Sequence, residues 1–136
     1  MTCPCDEVPA DEAAWGAVST LLTQAAELAA EDDVPTTPQV LEAGAFGECR
    51  AWHLPDHTAH WVLRQARYQI ACTLASAIPL RDPDDPLINT VLDVLAHHPT
   101  DIQARVLQAA TTHLPHHPAA CEARPATAST PDTTRS

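Results

Sequence analysis

The chain has 136 residues, 45% of them apolar, and a formal charge of -11. That is enough for one domain and too short for two ordinary ones. Three Gly against thirteen Pro disfavour phosphate-cradling Gly loops and hairpin-rich β folds, and no run nears the ~20 apolar residues a membrane span requires.

Alanine fills 25 positions, beside one Phe, one Tyr and three Trp. The core must therefore be thin, built from Leu, Val, Ile and close Ala contacts. All seven bases are Arg, against eighteen acids. Absent Lys beside abundant Ala, Pro and Thr points to the codon bias of a GC-rich genome. Residues 1–33 carry eight acids and no base. Phosphate-backbone binding needs clustered Lys or Arg, so neither nucleic acid nor an anionic membrane is the expected partner. The N-terminus lacks the basic start and apolar stretch of a signal peptide, which suggests the cytoplasm. There the five Cys, at 3, 5, 49, 72 and 121, are thiols or ligands and not a disulfide frame.

Residues 1–9 read as a flexible arm, followed by a single helical domain over 10–114. Pro9, Asp11 and Glu12 open a first helix that runs to about Glu31. Its apolar stripe is Ala14, Val18, Leu21, Ala25 and Leu28, widened by Trp15 and Leu22. Thr37-Pro38 starts a second helix with Leu41, Ala45, Cys49 and Trp52 on one face. Gly44 and Gly47 each cost about 1 kcal/mol there, so Cys49 to Leu54 has an extended alternative before Pro55. Asp56 can cap a third helix, about His57 to Ile78. Leu63, Ala66, Ile70, Leu74 and Ala77 form one face, with Trp61, Tyr68, Cys72 and Ala75 beside it; an arc this wide marks a central helix. Asp85 caps a fourth helix, with Leu87, Val91 and Val94 and with Ile88, Leu92 and Leu95 pointing inward. Thr100 and Gln103 form a capping box for a fifth helix to about Leu114, with Ile102, Val106, Ala109 and Ala110 inside. From Pro115 onward Pro, Thr, Ala and Ser dominate, and disorder is expected over 115–136.

Four residues, Cys49, His53, His57 and His60, form a Cys-x3-His-x3-His-x2-His pattern with the N and S donors tetrahedral zinc prefers. Glu48 and Asp56 could orient the imidazoles. The spacing matches no zinc signature, and a buried Cys beside helix-end histidines is the plainer reading. His57, His60, Arg64 and Arg67, at spacing 3, 4, 3, form one positive ridge. It could hold an anion or an acidic partner segment; the favoured reading is that it faces the acidic first helix. In the tail, His113, His116, His117 and Cys121 could capture metal only adventitiously. Cys3 and Cys5 are too close for Cys-x-x-Cys redox chemistry. Cys49 or Cys72 with His53 or His60 makes an arithmetically possible nucleophile pair, without a family pattern behind it. The fourth and fifth helices imitate a helix-turn-helix, but Gln103, Arg105 and Gln108 beside Asp101 are a meagre reading face. A helical hairpin serving the core is the blander account.

The fold expected is an all-α small bundle of four to five helices with flexible tails. Wide apolar faces imply a homodimer or a partner-bound protein. A small, acidic, Lys-free chain without motifs is expected to be an accessory protein, such as those of plasmids and phages. The leading expectation is a non-catalytic cytoplasmic interaction or regulatory protein without a cofactor. The alternative is a metal- or redox-responsive protein using zinc at Cys49, His53, His57 and His60.

Overall fold

A computed structural model describes residues 12–76, 80 and 82–114. The proposed arm, the tail and the end of the expected third helix lie outside the described residues. Those described form an all-α bundle of five helices without a strand: α1 Glu12–Glu31, α2 Pro38–Ala51, α3 Asp56–Leu74, α4 Leu87–Ala96 and α5 Thr100–Thr112. α1 and α5 form the most extensive helix pair, and α3 touches every other helix. The central role expected of α3 follows from its wide arc, with Thr58, Ala59, Trp61, Val62, Leu63, Ala66, Ile70 and Ala71 buried.

The core is alanine-rich, as the composition implies. Ala14, Ala17, Ala25, Ala26 and Ala29 are all buried on α1 beside Val18, Leu21 and Leu22. The small side chains let the helices approach closely. Leu41, Ala45, Ile70, Leu92, Leu95 and Leu107 complete the interior. Trp15 and Trp61 form a T-shaped pair, with centroids 5.0 Å apart and planes at 89°, a favourable aromatic geometry.

Helix boundaries follow local chemistry. The Thr37 hydroxyl accepts the Val40 N–H at 3.2 Å, with Pro38 in the first turn. α2 remains helical through Cys49 despite its two glycines, so the extended alternative for Cys49–Leu54 is replaced by a helix and a turn. An ideal Cβ on Gly44 would lie 2.5 Å from Cδ1 of Leu21; the missing side chain is what lets α2 approach α1. At the α2 end, Leu54 N–H donates to Cys49 C=O and His53 N–H to Arg50 C=O. His53 adopts φ 59°. This is a Schellman termination with His53 where Gly is usual.

Of three expected caps, one forms and two do not. Asp56 lies inside the first turn of α3, whose N-cap position is Pro55, with no side-chain cap bond. Asp85 does cap α4, accepting the Leu87 N–H at 2.9 Å. Thr100 and Gln103 form no capping box. The Thr100 hydroxyl instead donates to Asp33 at 2.5 Å. Gln103 is buried and accepts the Thr36 N–H, while its amide donates to Ala96 C=O at 3.3 Å and His98 C=O at 2.7 Å. A core-facing amide finds partners in the two loops beside it, because an unpaired one would be costly. α4 packs on α3 and α5 packs on α1 and α3, so the two are not the side-by-side hairpin expected.

Candidate functional site

Four large apolar side chains that periodicity places inside are exposed: Leu28 41%, Trp52 44%, Leu87 43% and Val94 50%. Each sits at a stripe edge or a helix end. The fall of apolar residues at helical spacing selects a face but not the width that neighbours cover.

Trp52 is the largest of them. α2 stops at Ala51, and Trp52 becomes its C-cap, carried outward before the His53 reversal. Its ring lies across the first turns of α1. A Cβ on Gly16 would come within 2.7 Å of Cη2 of Trp52. Gly16 therefore makes a seat for the indole, which keeps much of its surface in solvent. Trp52, Gly16, Ala13 and Glu12 border an open groove of about 420 Å³. Two others are smaller: about 270 Å³ around Gln24, Glu27, Leu28, Glu31 and Asp32, and about 260 Å³ around Asp93, Val94, His97 and His98.

The candidate ligands of the Cys-His pattern are spread out. Cys49 is 2% exposed, within the core. Burial pushes its thiol up, and the neighbouring Glu48 carboxylate adds to the shift. A raised thiol is a poor nucleophile at neutral pH. His53 terminates α2, and His57 is exposed in the first turn of α3. His60 is exposed and forms a T-shaped pair with Phe46, with centroids 5.1 Å apart. Among the described residues no three His, Cys, Asp or Glu converge where they could hold a metal ion. Cys72 is partly exposed. Near it, burial raises the Tyr68 phenol, with Cys72 and then Asp82 contributing. The tail group and Cys3 and Cys5 lie outside the described residues, apart from His113, exposed at the end of α5.

The positive ridge is divided among neighbours. Arg64 grips Asp84 with two bonds, Nε to Oδ1 at 2.8 Å and Nη2 to Oδ2 at 3.0 Å. The acid it meets belongs to the segment before α4, not to α1 as expected. Arg67 is half-buried, with its Nε enclosed and without a hydrogen-bond partner. On α5 the exposed Arg105 reaches Asp101 at 3.5 Å, which reduces the positive charge that a nucleic-acid reading face would need.

Sequence reasoning placed Leu28, Trp52, Leu87 and Val94 on the inward faces. For Trp52 a signal was present: it stands three residues before Pro55, where the chain must leave helical geometry. No signal of that kind marks Leu87 and Val94. No protein-family model, curated protein or solved structure matches the chain. No described helix is long and apolar enough to cross a membrane.

Proposed function

We propose that this chain is a non-catalytic interaction or regulatory protein of the cytoplasm, with Trp52 at the centre of a contact surface. The observation that carries the reading is an indole 44% exposed yet held in place on Gly16. Tryptophan is enriched among the residues that dominate binding energy, and a pre-seated ring loses little conformational freedom on contact. The broad apolar faces of so small a bundle favour the same role, as does an acidic surface that selects among partners. Accessory proteins of plasmids and phages are the class in which such a chain fits best.

Photo-crosslinking tests this. A photoreactive phenylalanine replaces the exposed Ala51, leaving Trp52 intact, and the full chain is irradiated in cells. A discrete adduct should form, vanish with Trp52→Ser, and be absent when the probe replaces exposed Glu42. Equal labelling at both positions, or an adduct indifferent to Trp52→Ser, contradicts the reading.

A further inference from the structure

The last turns of α1 carry a feature that the Trp52 surface does not use. Leu28 is 41% exposed. It lies in an open groove of about 270 Å³ bordered also by Gln24, Glu27, Glu31 and Asp32, all of them exposed. Glu27 and Glu31 are four residues apart, a spacing at which like charges share a helix face and repel. The carbonyl end of a helix favours cations. Yet the last turn of α1 holds no base, and Asp32 and Asp33 follow it.

Among the described residues no cation offsets that charge. Residues 1–33 contain no base. The described ion pairs join Arg64 to Asp84 and Arg105 to Asp101, and Glu27, Glu31 and Asp32 take part in neither. Asp33 accepts the Thr100 hydroxyl, a neutral partner. An apolar side chain is thus framed by three carboxylates at the helix end where negative charge is least favourable. The occupant that relieves both features is cationic and apolar at once. A second copy, with a net charge of -11, is repelled. The chain's own residues 115–136 set two Arg against two acids and offer no surplus of positive charge. An inorganic cation would leave Leu28 in water, and the sign of the charge excludes a nucleic acid.

We infer that this groove docks a basic segment of a partner protein. One apolar side chain of that segment covers Leu28, and its Lys or Arg side chains meet Glu27, Glu31 and Asp32. Leu28 stands about 18 Å along α1 from Gly16, the seat of Trp52. It is therefore a second surface, and it extends the interaction reading to a partner of defined charge. Carboxylates so exposed act mainly by steering and selecting the partner, an effect that salt weakens.

A random-peptide phage library panned on the immobilised full chain tests the inference, with fluorescence anisotropy of the enriched peptides. Those peptides should carry Lys or Arg beside an apolar residue or one helical turn from it. Leu28→Ser should weaken binding about tenfold or more, and Glu27→Gln with Glu31→Gln as much. Affinity should fall steeply between about 0.05 and 0.5 M salt. The Gln pair should melt no lower than the parent, because its carboxylates are unfavourable in the free chain; lost binding is then not lost folding. The inference is overturned by no enrichment, by enriched peptides without bases, or by affinity indifferent to Leu28→Ser or to the Gln pair. A lower melting midpoint for the Gln pair overturns it too, since the carboxylates would then serve the fold. Peptides that depend on Trp52 and not on Leu28 support the Trp52 surface and remove this one. Peptides that depend on Leu28, with no Trp52-dependent adduct in cells, leave this surface standing and remove the other.

Discussion

Gly44 and Gly47 are three residues apart on one helix and have opposite reasons to be there. Gly44 faces Leu21, whose Cδ1 would be 2.5 Å from an added Cβ, while nothing lies within 4 Å of one on Gly47. Leu21 is 2% exposed and has little room to yield. Gly44→Ala gains about 1 kcal/mol of helix propensity but incurs about 1–3 kcal/mol of overpacking. The expected result is a net loss near 1 kcal/mol. Gly47→Ala keeps the propensity gain, about 1 kcal/mol. Thermal melts should move in opposite directions, by about 4–8 °C each; movement in the same direction would contradict the α1–α2 contact. His53 supplies a second residue-scale case. Its φ of 59° is costly for a side chain with a Cβ, so His53→Gly should stabilise the chain by about 1 kcal/mol. A lower denaturant midpoint for that variant would show that the imidazole contributes something the turn does not need. Both glycines read in the sequence as helix weakeners. What distinguishes them is a leucine more than twenty residues away, which no local pattern reports.

At the scale of elements, most boundaries were legible because capping is local chemistry. Thr37-Pro38, Pro55 and Asp85-Pro86 each mark a start or a stop within a residue or two of the observed one. Gln103 was legible as a polar residue beside an apolar stripe and was assigned to a local cap. Its partners are instead Thr36, Ala96 and His98, because burial makes an amide seek whatever backbone is at hand. Gln103→Leu should therefore cost about 2–3 kcal/mol by leaving those groups unpaired. Thr100→Ala, which removes the exposed bond to Asp33, should cost about 1 kcal/mol or less. Chemical denaturation of the two variants checks the ranking, and equal losses would refute the distinction. The Cys-His pattern illustrates the opposite limit. Spacing suggested convergence, but a helix end and a reversal intervene, and among the described residues no three such side chains come together.

For the whole molecule, an all-α bundle with an alanine-lined interior was readable from composition and period. Which helices would be neighbours was not, because pairing is decided by long-range packing. α4 and α5 follow one another in sequence and both reach α3, yet α5 closes chiefly against α1 and not against α4. Buried Ala104, Leu107 and Ala110 line its inner side. A chain ending at residue 98 should lose cooperative unfolding, since the α1 face would be left uncovered; a sharp calorimetric transition in that truncation would contradict the role given to α5.

The pairing of α1 with α5 also sets an order of events during translation. The first helix leaves the ribosome long before the helix that covers it has been made. For that interval its leucines and alanines face solvent, and a chaperone or a neighbouring nascent chain has first access to them.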